Sequence, residues 1–444
     1  MSNKAKTTPM KNEPMPALTP KLRFPEFREA EGWELVTLQE ASVPVTERVG
    51  QRKLTPVSIS AGIGFVPQSE KFGRDISGNQ YQLYTLVRDG DFVFNKGNSL
   101  KFPQGCIYLL QGWGQVAAPN VFICFRLKDG YSNGFFQNCF EQNQHGRQLK
   151  RHITSSARSN GLLNISKETF FGVEIPTPSP AEQQKIADCL SSVDELIAAQ
   201  ARKLDALKTH KKGLMQQLFP REGETQPRFR FPEFQDAGEW VVKTLGQFAK
   251  YTKGFAFKSE DYKSEGVRII RVSDLGADFI KPNNEKIYIS SESEHEYARY
   301  KLTASEIIIT TVGSKPELLD SAVGRGIYVK LDNEGLLNQN LLKLEVLPAV
   351  NSRFLFSHIN TPEYQRFIAS ISRGNANQAN IAVKDLMGFT IKAPQYAEQQ
   401  RIADCLTSLD DLIAAQTQKL ALLKTHKQGL MQQLFPAPED QHRE

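Results

Sequence analysis

The chain has 444 residues, of which 40% are hydrophobic and 23% charged, a composition that excludes a disordered or fibrous protein. At roughly 150 residues per domain, the length predicts about three folding units. Lys and Arg (55) exceed Asp and Glu (49) to give a formal net charge of +6, which permits a nucleic-acid partner without demonstrating one.

The cysteines and the lengths of the apolar runs exclude further classes of protein. Five cysteines without a C-x-x-C pair argue against a disulfide scaffold and a zinc ribbon, and favour a reducing compartment. No apolar run reaches the roughly 20 residues that a transmembrane helix needs. Residues 1–22 are polar and Pro-rich and lack the apolar core of a signal peptide, so we expect a flexible N-terminal arm and a cytoplasmic protein.

The chain contains an internal repeat. Arg23-Phe24-Pro25-Glu26-Phe27 recurs 207 positions later as Arg230-Phe231-Pro232-Glu233-Phe234, and residues 181–220 recur at 397–436 with 31 of 40 positions identical. Between these anchors the halves diverge, although both predict a buried strand that runs into a Gly turn, at 91–98 and 306–314. A variable domain followed by a near-constant segment therefore occurs twice.

The repeat predicts the domain organisation. We expect an arm (1–22), a first variable domain (23–180), a first long helix (181–219), a linker (220–229), a second variable domain (230–396), a second long helix (397–436) and a C-terminal tail (437–444).

The near-constant segments predict two long helices with a coiled-coil seam. Seam residues recur in alternating steps of four and three, and most of them are apolar. The apolar seam residues are Ile186, Leu190, Val193, Ile197, Leu204, Leu207, Leu214 and Leu218 in the first helix, and Ile402, Leu406, Leu409, Ile413, Leu420, Leu423, Leu430 and Leu434 in the second. Gln200, Lys211 and their repeats Gln416 and Lys427 complete the seam.

Charge predicts how the two helices pair. Acidic residues concentrate in the N-terminal half of each helix and basic residues in the C-terminal half, so an antiparallel pair places opposite charges side by side. The alternative is two separate helices, each packed on its own domain. The antiparallel pair predicts an α+β protein in which two mixed α/β domains are separated by the helices and related by a pseudo-two-fold axis. A helix of this length would reach about 55 Å and act as a spacer.

Polar loops just upstream of each long helix are candidates for DNA contact. Residues 142–167 and 364–384 contain no acidic residue. Arg suits phosphate or a guanine edge, and Asn an adenine edge. The candidates in these loops are Arg147, Lys150, Arg151, Arg158 and Asn160 in the first domain, and Arg366, Arg373, Asn375 and Asn377 in the second. Further candidates lie in the turn regions after the shared strand, namely Lys96, Asn98, Lys101, Lys315 and Arg325, and in the stretch 251–258, which mixes basic and aromatic residues, namely Lys253 and Lys258. For any one of them a solvated surface loop is the alternative, and Phe255 and Phe257 are predicted to belong to the core.

The sequence carries no signature of catalysis. It lacks a G-x-x-x-x-G-K-[ST] phosphate loop, an Asn-Pro-Pro-aromatic tetrapeptide and an H-E-x-x-H metal motif. We therefore predict no catalytic residue, no metal ligand and no cofactor bound by this chain.

These features resemble the specificity subunits of type I restriction-modification enzymes. The similarity is carried by the twofold Ala-Glu-Gln-Gln-Lys/Arg-Ile-Ala-Asp-Cys-Leu and Leu-Lys-Thr-His-Lys-x-Gly-Leu-Met-Gln-Gln-Leu-Phe-Pro, and by Gly254-Phe255-Ala256-Phe257-Lys258-Ser259 in the second domain. The resemblance implies two target-recognition domains, each of which reads one half of a bipartite, asymmetric DNA site. It also implies that the paired helices set the spacer and dock two modification (adenine methyltransferase) subunits.

The resemblance further implies that restriction (translocase and nuclease) subunits join the complex, and that S-adenosylmethionine, ATP and Mg²⁺ are bound by these partners rather than by this chain. The chain itself would then not be an enzyme. The alternative function is a coiled-coil scaffold that joins two protein-binding domains, which predicts no salt-dependent affinity for DNA.

Overall fold

The structure, a computed structural model, describes residues 18–97, 102–153, 163–221, 223–276, 279–282, 285–314, 323–359, 361–374 and 378–436. The chain forms two compact units: unit 1 comprises residues 1–201 and 418–444, and unit 2 comprises residues 202–417. Both divisions fall inside long helices, so each unit contains part of each long helix. The domain boundaries expected from the repeat stay a prediction.

Unit 1 combines short strands with helices. Its strands are β1 (Glu34–Thr37), β2 (Ser42–Pro44), β3 (Thr55–Ser60), β4 (Gly64–Pro67), β5 (Thr85–Arg88), β6 (Asp91–Asn95), β7 (Cys106–Leu109), β8 (Gln115–Ala118), β9 (Ile123–Leu127) and β10 (Glu174–Thr177). Its helices are α1 (Leu38–Ala41), α2 (Gln68–Phe72), α3 (Asn133–Glu141), α4 (Gln144–Leu149), α5 (Lys167–Phe171) and the first part of α6 (Pro180–Leu218).

Two four-stranded sheets of unit 1 pack against each other, in the orders β2-β9-β6-β7 and β4-β3-β8-β5. Strand β6 is apolar on both faces because both faces are covered. Phe92 and Phe94 pack with the helices, in a cluster that includes Phe170. Val93 points the other way, into the apolar layer shared with the second sheet, where it meets Val57.

Unit 2 begins within α6 and ends within α11. Its strands are β11 (Val241–Thr244), β12 (Ala249–Lys253), β13 (Val267–Ile270), β14 (Ile287–Ile289), β15 (Ile307–Thr310), β16 (Val312–Gly313), β17 (Gly326–Tyr328), β18 (Leu336–Leu337), β19 (Leu341–Val346), β20 (Arg373–Gly374), β21 (Ala379–Asn380) and β22 (Thr390–Ala393). Its further helices are α7 (Leu245–Phe248), α8 (Ser352–His358), α9 (Pro362–Ile371), α10 (Val383–Leu386) and α11 (Tyr396–Leu434).

The main sheet of unit 2 repeats that of unit 1. Its order is β12-β19-β15-β17, which corresponds strand for strand to β2-β9-β6-β7. The strand shared by both halves is therefore β6 in one unit and β15 in the other, as the sequence predicted. The second sheets correspond in part: β14-β13-β18 repeats the antiparallel and parallel pairings of β4-β3-β8 without an equivalent of β5 among the described residues. Unit 2 also has the small sheet β16-β21-β20.

The two predicted long helices, α6 and α11, are confirmed, and each has 39 residues. Within unit 1, Lys427 Nζ lies 2.8 Å from Asp194 Oδ1, and Leu434 shares a core with Ile186. Within unit 2 the repeat-equivalent Lys211 pairs with Asp410, and Leu218 shares a core with Ile402. Later residues of one helix contact earlier residues of the other, so the helices are antiparallel in each unit. All sixteen apolar seam residues are buried or half-buried.

Each unit also contains the C-terminal end of the long helix that begins in the other unit: α11 ends in unit 1 and α6 ends in unit 2. Phe435 lies edge-on to Trp33 at 6.0 Å and stacks on Phe135 at 5.4 Å. Its repeat, Phe219, meets Trp240 at 6.4 Å and Phe354 at 5.7 Å. The constant Leu-Phe-Pro at the end of each helix is thus an aromatic anchor for a sheet domain.

These observations confirm the α+β class, with mixed α/β domains and long antiparallel helices. Among the described residues, no helix combines the length and the apolarity that a membrane span requires.

Candidate nucleic-acid interface

In unit 1 the end of the shared strand lies beside the segment that follows the predicted DNA loop. The Lys96 carbonyl accepts a hydrogen bond from the Leu163 amide at 2.9 Å. Asn95 fixes the turn, because its Oδ1 accepts from the Gly97 amide at 2.7 Å and its Nδ2 donates to the Ile59 carbonyl at 2.8 Å. The two stretches that the sequence singled out, around Lys96 and upstream of the long helix, are therefore brought together.

A polar pocket of about 430 Å³ opens at this junction. It is lined by Lys96, His152, Leu163, Asn164, Ile165, Ser166 and Thr169. Hydroxyl, amide, imidazole and ammonium groups on its walls suit hydrogen bonds to a phosphate or a base edge.

The basic residues of α4 and of the turn after it are exposed, while neighbouring residues hold α4 in place. Arg147, Lys150 and Arg151 are exposed. Between them, Leu149 is buried, and Gln148 donates from Nε2 to the Glu174 carbonyl at 2.6 Å while its Oε1 accepts from the Glu174 amide at 3.0 Å. Together α4 and the turn after it therefore present three cations to solvent, while Gln148 holds α4 on β10.

In unit 2 the corresponding junction is a small sheet. The Ile381 amide donates to the Thr311 carbonyl at 3.1 Å, and β21 pairs with both β16 and β20, so that Asn380 lies opposite both Val312 and Arg373. The turn after the shared strand again lies beside the segment upstream of the long helix. Unit 2 builds this junction with strands, whereas the described residues of unit 1 line a pocket there.

The predicted cations of unit 2 lie in different settings. Lys253 at the end of β12 and Arg366 on α9 are exposed. Exposed Arg373 contacts Asp385 Oδ2 through Nη2 at 2.9 Å, and Lys258 lies 3.3 Å from Glu260. DNA phosphates would have to compete with these surface ion pairs, which are individually weak in water.

Arg325 lies inside the unit, with 9% of its surface exposed. Its amide donates to Thr310 Oγ1 at 2.9 Å, and Nη2 reaches the Leu275 carbonyl at 3.4 Å. The backbone of Arg325 thus contacts the shared strand, and its side chain contacts Leu275, which follows β13. Its contact with DNA stays a prediction. The candidates Asn98, Lys101, Arg158, Asn160, Lys315, Asn375 and Asn377 lie outside the described residues.

Phe255 and Phe257 belong to the core, as predicted. Their rings lie 5.0 Å apart, and each lies 5.0 Å from Tyr297. Gly254 precedes them where the chain passes close to the Asn338 carbonyl, 1.9 Å from the position a Cβ would take. This close approach explains the glycine of the Gly-Phe-Ala-Phe-Lys motif.

The constant residues that hold each domain on its helix were missed as a site. Glu182 is buried and accepts two hydrogen bonds from the Arg23 guanidinium, at 2.8 and 2.7 Å. Its neighbour Gln183 accepts from the Ser132 amide at the start of α3, at 2.9 Å, and donates to the Pro178 carbonyl at 2.9 Å. The sequence did mark these residues, because the Arg-Phe-Pro-Glu-Phe and Ala-Glu-Gln-Gln motifs both occur twice. Repetition alone, however, does not show which residues a motif contacts.

Neither of the two buried histidines, His145 and His358, has a charged hydrogen-bond partner among the described residues. Burial lowers the pKa of His145 to about 4, and its ring lies edge-on to Phe94 and Phe140. Burial lowers the pKa of His358 to about 3, with a smaller contribution from the Lys392 charge. Both are neutral at physiological pH and serve as packing residues. Among the described residues, no group of three or more His, Cys, Asp or Glu is placed to hold a metal ion.

The two diverged sheet domains, each with exposed cations near the end of its shared strand, and the duplicated helices define an internally duplicated protein with two candidate nucleic-acid interfaces. The chain belongs to the family described as type I restriction modification DNA specificity domain, whose model matches residues 83–209 and 237–425, more than half of the chain. The family predicted from the sequence is confirmed.

Individual relatives are named as specificity subunits of type I restriction enzymes. The chain is 24% identical over 289 residues to the type I restriction enzyme MjaVIII specificity subunit of Methanocaldococcus jannaschii, a match that covers 64% of this chain and 66% of that protein. It is 23% identical over 297 residues to the EcoAI specificity subunit of Escherichia coli, covering 66% of this chain and 47% of that protein. The chain thus spans about two thirds or less of the length of these curated relatives.

Solved structures share the fold. The type I restriction-modification S subunit from M. genitalium superposes with a TM-score of 0.58 at 14% identity, covering 95% of this chain and 100% of that one. A chain from a study of complex assembly in the type I R-M system gives a TM-score of 0.52 at 19% identity, covering 91% and 98%.

Proposed function

We propose that this protein is the DNA-recognition subunit of a type I restriction-modification complex. The observation that carries the proposal is the junction repeated in both units, where the turn after the shared strand lies beside the acid-free segment upstream of the long helix. Each junction would read one half of a bipartite, asymmetric site. The two DNA half-sites would differ in base sequence, because the described residues form a pocket at one junction and a small sheet at the other.

In this proposal the chain supplies recognition and its partners supply the chemistry. Two modification subunits would bring S-adenosylmethionine, and restriction subunits would bring ATP and Mg²⁺, all in the cytoplasm. The long helices would set the number of base pairs between the half-sites. Inserting one heptad at the same level of both helices should lengthen the gap in the recognised motif, and an unchanged gap would remove the spacer role.

The test is co-expression with a modification subunit encoded beside this chain, followed by mapping of methylated adenines across host DNA. We expect one bipartite motif with a fixed gap. Replacing Arg147, Lys150 and Arg151 together by Ala should weaken methylation without changing the motif, because phosphate contacts position a protein rather than specify a sequence. A stable complex that methylates no adenine would overturn the proposal.

A further inference from the structure

Unit 1 carries a β-hairpin with an exposed apolar residue at its tip. The hairpin consists of β3 and β4 and closes at the pair Ser60 and Gly64, so that Ile63 is the last residue of its loop. Ile63 is 75% exposed, the highest value among the large hydrophobic residues that the structure describes. Single exposed apolar residues are common on proteins, so the meaning of this one depends on what surrounds it.

The tip of this hairpin is narrow, braced and uncharged. Ile63 stands between Gly62 and Gly64, whose φ angles of +83° and +95° make the tight turn and which place no side chain on either side of it. The Gly62 amide donates to Tyr108 Oη at 2.6 Å, which fixes the turn on the neighbouring strand β7. Residues 54–69 contain no charged residue. Ile63 is therefore held out as a slender apolar point.

The tip lies at the same edge of unit 1 as the candidate DNA interface. The Ile59 carbonyl, close to the tip on β3, accepts the hydrogen bond from Asn95 Nδ2 at 2.8 Å. Asn95 is the last residue of the shared strand, and the next residue, Lys96, lines the polar pocket. Whatever binds at the junction therefore comes close to Ile63.

Unit 2 repeats this arrangement with different residues. The connection between β13 and β14 closes at the pair Leu275 and Ile280, and Phe279, 46% exposed, precedes the second residue of that pair. The Leu275 carbonyl accepts from Arg325 Nη2 at 3.4 Å, and the Arg325 amide donates to Thr310 Oγ1 at the end of the shared strand. Each shared strand thus ends beside a hairpin with an exposed apolar residue at its tip. We call Ile63 and Phe279 the tip residues.

The two hairpins have diverged in length and in sequence. The connection between the strands is residues 61–63 in unit 1 and 271–286 in unit 2. The tip residue is nevertheless apolar and exposed in both. A feature that survives such divergence indicates a task common to both units, and under the proposed function that task is binding duplex DNA.

We propose that each tip residue enters the base stack at one step of its half-site and kinks the duplex there. Apolar side chains inserted between base pairs unstack a step and bend DNA by about 20–90°. An uncharged tip suits this position, because a charge inside the stack would lose its hydration without gaining a partner. The inference rests on the proposed function, since it assigns to the same two interfaces a deformation of the DNA that they bind.

Insertion lets each unit select a base step without hydrogen bonds to its bases. Pyrimidine–purine steps such as TA and CA unstack at a lower cost than other steps. Each half-site should therefore contain such a step at a fixed position.

The test uses the full chain in complex with the modification subunit, bound to duplexes that carry the mapped motif. 2-Aminopurine replaces each adenine, or pyrrolocytosine each cytosine, one position at a time, and fluorescence rises where a base loses a stacked neighbour. The methylated adenine also gives a signal, because methyltransferases extrude their target base. Wild type should show one further unstacked step in each half-site.

The variants separate the two tips. I63A should abolish the further unstacked step in one half-site and F279A in the other, while the extruded adenines keep their signal. I63L should retain the step, since it keeps the apolar volume. A mismatch at that step lowers the cost of unstacking, so it should raise the affinity of wild type by about tenfold and leave that of I63A unchanged.

The matched control is I76A, which removes an isoleucine that is 50% exposed in the same unit. The Ile76 amide donates to Gln68 Oε1 at 3.3 Å, at the end of the β3–β4 hairpin opposite the tip. I76A should keep every wild-type signal, and the unfolding midpoints of I63A and I76A should equal that of wild type. Wild-type unstacking by I63A and F279A would overturn the insertion while the proposed function stands. A complex that methylates no adenine would overturn both.

Discussion

Arg23 and Glu182 form a bidentate ion pair across 159 positions of sequence, with Nε–Oε1 at 2.8 Å and Nη2–Oε2 at 2.7 Å. Arg230 and Glu398 repeat it at 2.8 and 2.6 Å. In both, the arginine also donates to backbone carbonyls of the segment that follows its own motif, among them Ala30 and Ala237. The Arg-Phe-Pro-Glu-Phe motif is thus a clasp that fixes the entry of each domain to the first turn of a long helix.

Breaking one clasp should destabilise its unit strongly. R23M leaves the buried carboxylate of Glu182 without its cation, and the loss of one partner from a buried ion pair typically costs about 3–5 kcal/mol. R23M/E182L removes both charges and should recover most of that loss. Urea unfolding monitored by fluorescence would measure both variants.

The same motif offers a matched control. Glu26 pairs with Lys185 at 3.0 Å, but both side chains are about half exposed, so E26A should leave the unfolding midpoint unchanged. If R23M were as mild as E26A, the clasp would not hold the domain.

Stability should fall in mild acid because of the buried histidines. Burial lowers the pKa of His145 to about 4, while an unfolded chain protonates this residue near pH 6.5. Above about pH 6.5 neither state is protonated and the histidine has no effect. Between about pH 6.5 and 4 only the unfolded state gains the proton, so the equilibrium constant for folding falls by up to about tenfold for each unit by which the pH is lowered.

The measurement is urea unfolding at several pH values. H145L should flatten the pH dependence in this window, and H358L should do so down to about pH 3, where the pKa of His358 lies. H210Q, at an exposed position on α6, should leave the slope as it is. Parallel slopes for wild type and H145L would contradict the expectation.

The sequence predicted the elements better than their contacts. The seam from Ile186 to Leu218 follows from spacing, and the equivalence of β6 and β15 follows from two apolar runs before a Gly turn. The clasp could not be predicted, because periodicity does not show that Arg23 meets Glu182. The sequence predicts Arg325 as a DNA-contacting surface cation from its charge. Its burial depends on how β15 and β17 pair, which the sequence does not show. The second sheet of unit 1 could not be predicted by comparing the halves, because its strands β3, β4 and β8 share their pairing but little sequence with β13, β14 and β18 of unit 2.

The helix glycines should be replaceable with a gain. Apart from the neighbouring backbone of the helix itself, no described atom lies within 4 Å of the position that a Cβ would take at Gly213 or at its repeat Gly429. Ala in a helix interior is more favourable than Gly by about 0.5–1 kcal/mol, so G213A and G429A should each raise the free energy of unfolding by about that amount. G105A is the contrast: its φ is +82° and a Cβ would stand 2.5 Å from the Asn95 carbonyl oxygen, so its unfolding midpoint should drop.

The salt dependence of DNA binding should report the cations of α4 and its following turn. Arg147, Lys150 and Arg151 are exposed, and the proposed function assigns them to phosphates. Each phosphate contact contributes about 0.9 to the slope of log affinity against log salt concentration, so replacing all three by Ala should lower that slope by about 2–3. Fluorescence anisotropy of the complex with the modification subunit on a labelled duplex, at several salt concentrations, would measure it. K208A/K424A, which removes exposed cations from the helices, is the control and should keep the wild-type slope. An unchanged slope in the triple variant would place the DNA path of unit 1 away from α4 and leave the other predicted candidates of the first domain, among them Lys96 at the pocket.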